Sequence, residues 1–133
     1  MNVIAHGVDI MLCSRLERSW KEHGERLLAR VFTPAECAHC LDSKTPVLRL
    51  AGRFAVKEAV MKALGTGWRG GIEWTDIETL PDGLGRPHVT LRGRTRELAE
   101  SLGIRQWLVS ISHAGDYAMA SALGLGETTG GAR

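Results

Sequence analysis

The segment from Gly52 to Gly67, GRFAVKEAVMKALGTG, constrains the fold of this 133-residue chain more than any other. Its apolar spacing predicts an α-helix that ends at a glycine. A surface helix usually places its charged residues on one face and its apolar residues on another. Here Arg53 and Lys57 lie on the apolar stripe instead, while Glu58 and Lys62 share the next face. A lysine in an apolar stripe needs a partner for its ammonium, and a phosphate group is one suitable partner.

An ordinary surface ion pair is the alternative explanation for Glu58 and Lys62. Such exposed pairs are common and are worth about 0.3–0.5 kcal/mol. A second unusual carboxylate favours an anion-binding site, because Asp9 interrupts the apolar run GVDI at residues 7–10. A lone buried carboxylate is costly unless it is paired or bound to a metal. Asp9 and Glu58 could together coordinate Mg²⁺, which often takes only one or two protein carboxylates besides water and phosphate oxygens.

Charge and cysteine usage argue against several classes of protein. The formal net charge is only +2, and one tyrosine and two phenylalanines give few aromatics for stacking on bases, so we do not expect a nucleic-acid binder. No apolar run approaches the roughly 20 residues that span a bilayer. Three cysteines without a signal-peptide pattern predict a cytoplasmic protein. Cys37 and Cys40 have the spacing of half a zinc site, but the sequence has no second pair, so we expect ordinary helix residues.

Periodicity and turn residues predict a single α+β domain over residues 1–133, with an antiparallel sheet packed against a long central helix. The predicted helices span residues 14–30, 34–41, 47–64 and 95–102. The predicted strands span residues 3–12, 74–80, 88–91, 107–112 and 117–123. Ser14 is a candidate helix cap, and Thr33-Pro-Ala-Glu36 has the pattern of a capping box. The small polar residues from about 125 to 133 predict a flexible tail.

Ser112 and His113 end the predicted strand VSISH, and three roles fit them. They could form a serine–histidine nucleophile pair, although the local spacing is not that of a triad and no Gly-x-Ser-x-Gly turn is present. They could be ordinary strand and turn residues. The third role, donating hydrogen bonds to an anionic ligand, agrees best with the cationic helix.

Seven segments of the chain, taken together, resemble one family: the bacterial holo-acyl-carrier-protein synthases, the small class of 4′-phosphopantetheinyl transferases. They are GVDI (7–10), SRLE (14–17), VFTPAE (31–36), AGRFAVKEAVMKALGTG (51–67), the DI of WTDIE (74–78), GRPHVTL (85–91) and VSISH (109–113). Their order and spacing match the family as far as about Leu123. The long helical motif combined with GVDI is the most specific part of the resemblance.

The resemblance implies a Mg²⁺-dependent transfer of the phosphopantetheine arm of coenzyme A to a serine of apo-acyl carrier protein, with release of adenosine 3′,5′-bisphosphate. By resemblance, Asp9 and Glu58 are catalytic residues and the metal ligands. Lys62 is a catalytic residue that stabilises or protonates the leaving group. Glu58 and a water molecule on the metal are both candidates for the base that deprotonates the serine.

The resemblance also implies a coenzyme A site, a homotrimer with active sites between subunits, and a docking surface for the acidic carrier protein. The coenzyme A residues are Lys44, Arg49, Arg53, Gly65, Arg86, Pro87, Ser112 and His113. The docking residues are Arg15, Arg18, Lys21 and Arg26, with Arg30 as a further candidate. Glutamates at positions 17, 22 and 25 dilute the positive charge of this docking segment. The carrier protein itself, from fatty-acid, polyketide or other synthesis, stays open.

Two other functions compete with this interpretation. A non-catalytic module that binds coenzyme A or a nucleotide would keep the basic residues but would not need both Asp9 and Glu58. A hydrolase that uses Ser112 and His113 would need neither Mg²⁺ nor a carrier protein. The presence of both carboxylates favours the transferase.

Overall fold

The computed structural model describes residues 1–65 and 67–127, and these contain five α-helices and five strands. In chain order the elements are β1 (Asn2–Leu12), α1 (Cys13–His23), α2 (Glu25–Val31), α3 (Pro34–Leu41), α4 (Pro46–Leu64), β2 (Ile77–Pro81), β3 (Pro87–Leu91), α5 (Gly93–Ser101), β4 (Ile104–Ala114) and β5 (Tyr117–Gly126). The predicted α+β class is confirmed, with most helices in the first half and most strands in the second.

The strands form two antiparallel sheets. The larger sheet has the order β1–β5–β4, and the smaller one pairs β2 with β3. In the larger sheet Asp9 on β1 lies opposite Ala120 on β5, and Ser112 on β4 lies opposite Met119. Side chains alternate between the two faces of a strand. Because Ala120 is buried and Met119 is exposed, Asp9 faces the core side of the sheet and Ser112 faces the outer side.

Helix α4 forms the centre of the core and packs across β1 and β5. Its contact face contains small residues such as Ala55 and Ala59, neither of which is exposed. Gly7 on β1 lets the two backbones approach closely. A Cβ at this position would overlap the carbonyl oxygen of Ala59 and lie 2.8 Å from the amide nitrogen of Ala63. This close approach holds Asp9, two residues further along β1, against the C-terminal half of α4.

Two helix starts use different caps, and only one of them follows the prediction. The capping box is confirmed: Thr33 Oγ1 accepts a hydrogen bond from the Glu36 amide at 3.1 Å, and Glu36 Oε1 accepts one from the Thr33 amide at 3.0 Å. The predicted Ser14 cap is wrong, because α1 begins at Cys13. Asp116, in the turn between β4 and β5, accepts a hydrogen bond from the Ser14 amide at 3.0 Å. A residue distant in sequence therefore caps this helix.

Other boundaries differ from the predicted ones at turns. The helix predicted over residues 14–30 is two helices, separated by Gly24, whose φ of 57° lies in the left-handed region. The first residues of the strand predicted over 74–80 form a 3₁₀ turn, Trp74–Asp76. Strand β5 continues to Gly126, so the start of the predicted tail is paired strand, and residues 128–133 lie outside the described part of the chain. No described helix is both long enough and apolar enough to cross a membrane.

Candidate active site

Strand β1 and helix α4 bring three charged side chains together. Lys62 Nζ donates a hydrogen bond to Asp9 Oδ1 at 2.7 Å. The Asp9 side chain is 16% exposed and that of Lys62 is 56% exposed, so the pair lies at an opening to solvent. Glu58, one turn before Lys62 on α4, is half-buried and close enough to Asp9 for the aspartate charge to raise its pKa. The three residues that the sequence suggested therefore share one site.

The electrostatics of this site suit a divalent cation. Burial is the largest influence on the pKa of Glu58 and raises it, and the negative charge of Asp9 raises it further. The hydrogen bond to Asp9 raises the pKa of Lys62, which is therefore a cation at neutral pH. Two carboxylates at close range repel each other, and a divalent cation relieves that repulsion. Within residues 1–65 and 67–127 there is no cluster of three or more His, Cys, Asp or Glu side chains that could hold a metal.

Lys57, the other cation that interrupts the apolar stripe of α4, does not face this site. Its Nζ lies 2.9 Å from Glu36 Oε1, and both side chains are fully buried. It also donates hydrogen bonds to the backbone carbonyls of Trp74, at 3.2 Å, and Ile77. The suggestion that a phosphate satisfies this ammonium is wrong, because a carboxylate of the protein already does so. The sequence predicts only a capping role for Glu36.

Arg53, Arg49 and Lys44 lie around the N-terminal half of α4. Arg53 is 5% exposed, and its Nε has no hydrogen-bond partner among the described residues. Burial, followed by the charges of Arg53 and Arg49, lowers the pKa of His39 at the end of α3, so both arginines lie near that helix. Lys44 is exposed in the connection between α3 and α4. Lys44 and Arg49 lie towards the N-terminal end of α4 and Arg53 lies near its middle, whereas Glu58 is in its C-terminal half.

Ser112 and His113 point to opposite faces of β4. His113 Nε2 lies 3.2 Å from the carbonyl oxygen of Leu48 on α4, within hydrogen-bond distance. It sits beside Gly52, where an added Cβ would be 3.3 Å from the same nitrogen. Ser112 lies opposite the exposed Met119 on the outer face. A serine and a histidine on opposite faces cannot form a nucleophile pair within one chain, which argues against the hydrolase alternative.

The cysteines of α3 are core residues. Cys40 is fully buried, and burial raises its pKa to about 11. Burial also raises the pKa of the half-buried Cys37. Burial therefore disfavours the reactive thiolate form of both side chains. The expectation of ordinary helix residues agrees with this environment.

Comparison with known proteins decides the family. A sequence model described as the 4′-phosphopantetheinyl transferase superfamily matches residues 5–122. The chain belongs to this superfamily. The resemblance inferred from the seven sequence segments is therefore confirmed.

The relatives of this phosphopantetheinyl transferase carry a more specific name. The holo-acyl-carrier-protein synthase of Moorella thermoacetica is 56% identical over 117 residues, which cover 88% of this chain and 90% of the relative. The crystal structure of holo-acyl-carrier-protein synthase from Neisseria meningitidis matches with a TM-score of 0.85 and 32% identity, over 93% of this chain and 99% of that one. The Helicobacter pylori synthase in complex with coenzyme A matches with a TM-score of 0.79 and 30% identity, over 90% and 99%.

Two cavities of this phosphopantetheinyl transferase are lined by further residues that the sequence predicts to bind coenzyme A. Gly65, which ends α4 with a φ of 79°, lines a cavity of about 790 Å³ between the loop that follows α4 and α5. Arg86 and Pro87 line a cavity of about 900 Å³ between β3 and β4. Arg86 is exposed and pairs with Asp82 at 3.3 Å. These three residues, all predicted to bind coenzyme A, are thus divided between two cavities of one chain.

The predicted docking residues lie on the two helices that follow β1. Arg15, Arg18 and Lys21 are exposed on α1, and Arg26 is exposed on α2. Lys21 lies 3.9 Å from Glu17 on the same helix. The surface is therefore basic but partly neutralised, as the sequence suggested.

Sequence reasoning missed the aromatic residues beside Glu58. Trp68 and Trp74 stack with their ring centroids 3.7 Å apart, and Trp74 also contacts Phe54, at 4.9 Å between centroids. Burial is the largest influence on the pKa of Glu58 and raises it, whereas the neighbouring Trp68 acts to lower it. A signal was present in the spacing of Phe54 and Glu58, four residues apart on one helix, but the two tryptophans reach this face only through the fold.

Proposed function

We propose that this chain is a holo-acyl-carrier-protein synthase, which transfers the 4′-phosphopantetheine arm of coenzyme A to a serine of apo-acyl carrier protein. In the reaction the serine oxygen forms a bond to the phosphorus that carries the pantetheine arm. The bond from that phosphorus to the bridging oxygen breaks, and adenosine 3′,5′-bisphosphate leaves. Family membership and the named relatives support this activity. The single structural observation that carries it is the convergence of Asp9, Glu58 and Lys62.

Asp9 and Glu58 are the residues of this chain that would hold Mg²⁺. Their oxygens are the hard ligands that this ion prefers, and they come from two elements held together by the contact at Gly7. Burial raises the pKa of Glu58, and the negative charge of Asp9 raises it further. A divalent cation bound between the two carboxylates would relieve their repulsion. When bound, Mg²⁺ neutralises the negative charge of the diphosphate and of the departing phosphate.

Lys62 contributes a positive charge at the same opening. Its side chain is more than half exposed and its ammonium is held by Asp9, so it lies where a phosphate oxygen at this opening would meet it. Its raised pKa keeps it a cation rather than a base, and its positive charge would stabilise the leaving group or a proton from it would neutralise that group. The proton of the attacking serine goes to a base, for which Glu58 is the candidate that the chain itself provides.

A homotrimer with sites between subunits agrees with two features of the chain. First, the outer face of the larger sheet exposes large apolar side chains, a surface that monomers seldom leave uncovered. They are Val8, Ile10, Leu108, Tyr117 and Met119. Second, His113 lies beside Leu48, ten residues before Glu58 on α4, which is about 15 Å along the helix axis. The family resemblance assigns His113 to coenzyme A, so this separation agrees with a site whose two parts come from different subunits.

Mass spectrometry of apo-acyl carrier protein, incubated with this chain, coenzyme A and Mg²⁺, tests the proposal. We expect a mass gain of one phosphopantetheine group that EDTA abolishes and added Mg²⁺ restores. Asp9→Asn and Glu58→Gln should each lower the rate by at least about 100-fold, because a metal ligand is lost. Glu127→Gln, an exposed carboxylate beyond β5, is the matched control and should retain the wild-type rate. Coenzyme A binding without any mass gain would instead support the non-catalytic module.

A further inference from the structure

The start of helix α1 is held by a residue from near the other end of the chain. Asp116 lies in the turn between β4 and β5, at residues 115–116. Its Oδ1 accepts a hydrogen bond from the Ser14 amide at 3.0 Å, and its Oδ2 accepts one from Ser14 Oγ at 2.5 Å. Its backbone carbonyl accepts a third hydrogen bond, from the Cys13 amide, at 2.8 Å. One residue of this turn therefore binds both of the first two residues of α1.

These contacts supply what α1 lacks in its own sequence. The first four amide groups of a helix have no acceptor within the helix, and Asp116 accepts hydrogen bonds from two of them. The first turn of α1 contains no acidic residue, and Leu12, which precedes the helix, has no polar side-chain atom to cap it. A carboxylate at a helix N-terminus also interacts favourably with the helix dipole. Asp116 therefore fixes the position at which α1 begins.

The same helix carries residues that we expect to contact the acidic carrier protein. Arg15 directly follows Ser14 and is exposed. Cys13 and Leu16 are buried, so packing against the core decides which face of α1 points outward. Asp116 adds a second constraint, because it sets the position of the helix start relative to the turn between β4 and β5. Loss of this contact would affect Arg15 first, since Arg15 is the next residue along the helix.

We propose that Asp116 is a positioning residue that orders the carrier-protein docking surface of α1 through its hydrogen bonds to Ser14. The inference rests on the proposed function and on docking of the carrier protein at α1. Asp116 and Ser14 are both exposed, and losing one helix cap removes only a small part of the stability of a domain. Loss of the contact should therefore change recognition of the carrier protein more than it changes unfolding.

Steady-state transfer kinetics with apo-acyl carrier protein test this role with two variants of equal charge. Asp116→Ala and Asp116→Asn both remove the negative charge at this position, but asparagine keeps an oxygen that can accept a hydrogen bond from Ser14, and it caps helices about as well as aspartate. We expect the KM for the carrier protein to be about fivefold higher in Asp116→Ala than in Asp116→Asn, with the same kcat in both. Asp42→Ala changes an exposed aspartate at the end of α3; it is the control and should keep the wild-type KM.

Two further measurements separate positioning from general damage. Ser14→Ala removes Oγ and should raise the same KM about twofold, but it should have no further effect when combined with Asp116→Ala, because its partner is already gone. The KM for coenzyme A should stay within about twofold of wild type in every variant, since His113, the predicted coenzyme A residue nearest in sequence to Asp116, keeps its place opposite Ala118 in the sheet. Urea unfolding verifies that each variant is folded.

The outcomes distinguish this inference from the function on which it rests. Equal KM values for the carrier protein in folded Asp116→Ala and Asp116→Asn would overturn the inference and leave the transferase activity standing. A matching rise in the KM for coenzyme A in Asp116→Ala would also overturn it, because the effect would then not be confined to the docking surface. Absence of transfer by the wild-type protein would instead overturn the proposed function.

Discussion

Lys57 Nζ lies 2.9 Å from Glu36 Oε1, and neither side chain has any exposed surface. This ion pair joins α3 to α4, and two further hydrogen bonds from Lys57 reach backbone carbonyls at the start of the smaller sheet. Burial lowers the pKa of Lys57, while the neighbouring Glu36 charge acts against that effect. The lysine is thus a structural connection between three elements, and it is spatially separate from the cation at the active site.

The first prediction separates Lys57 from Lys62, five residues later on the same helix. Lys57→Met leaves Glu36 as a buried charge without its partner, so we expect the free energy of unfolding to fall by about 3–5 kcal/mol. Lys62→Met removes a largely exposed cation and should change stability little while reducing transfer strongly. Urea unfolding and the transfer assay measure the two effects. A stable Lys57→Met protein that has lost coenzyme A binding would contradict this assignment.

The second prediction concerns the contact that places Asp9 against α4. Gly7→Ala would force a methyl group into the Ala59 carbonyl oxygen, and the backbone of a central helix has little room to move. We expect a loss of about 3 kcal/mol or more in unfolding free energy, at the upper end of overpacking effects. Gly83→Ala, where no atom lies within 4 Å of the added Cβ, is the matched control and should unfold near wild type. Equal stability of both variants would show that β1 is not tightly packed at this point.

The third prediction concerns pH and Glu78 on β2. Burial acts to raise the pKa of this carboxyl, but hydrogen bonds from Thr33 and Arg92, with the Arg92 charge, outweigh it and hold the pKa below the ordinary value of 4.5. The folded chain therefore resists protonation more than the unfolded chain does. The stabilisation is present above pH 4.5 and is lost as the pH falls through the folded pKa.

Glu78→Gln provides the measurement of that linkage. The difference in unfolding free energy between wild type and Glu78→Gln should be largest near neutral pH and should narrow as the pH falls below 4.5. Glu97→Gln, which removes an exposed partner of Arg94, should show a small difference at all pH values. A difference for Glu78→Gln that does not change with pH would argue against the lowered pKa.

Much of the fold follows from local patterns, and the wrong predictions have two causes. The capping box at Thr33 and the end of α4 at Gly65 were predicted because all the atoms involved lie within one turn of chain. The Ser14 cap was wrong because Asp116 arrives from the other end of the sequence. Residues 14–30 were predicted as one helix because the sequence alone does not show that Gly24 adopts a positive φ and interrupts it.

In the active site, too, local features were predictable and contacts between distant residues were not. Asp9 and Glu58 were identifiable because each is out of place in its own element, and their proximity is now visible. Lys57 was equally out of place, but the sequence could not distinguish a ligand phosphate from the carboxylate of Glu36 as its partner. Trp68 gave no local signal at all, since a tryptophan after a glycine turn is unremarkable until the fold sets it beside Glu58. Long-range pairing thus limits what one sequence can reveal.

The fourth prediction tests the docking surface on α1. The double variant Arg15→Glu and Arg18→Glu reverses two exposed charges and should weaken binding of the acidic carrier protein, raising its KM about tenfold or more at low salt. Coenzyme A affinity should not change, because neither arginine is among the residues predicted to bind coenzyme A. Added salt should reduce the difference from wild type. An equal loss of affinity for both substrates would contradict separate surfaces.

The fifth prediction tests whether one active site draws on two subunits. Glu58→Gln should remove a metal ligand from a site, and His113→Ala should remove a residue predicted to bind coenzyme A. If each site takes Glu58 from one subunit and His113 from another, mixed oligomers of the two variants contain some sites in which both residues are wild type. Unfolding and refolding the variants together should therefore restore part of the transfer activity, and size-exclusion chromatography with light scattering should report a trimer. Mixing Glu58→Gln with Asp9→Asn, which lie at the same end of α4 in one chain, is the control and should restore nothing. Activity that stays absent in the first mixture, in oligomers shown to be mixed, would mean that each chain binds coenzyme A alone.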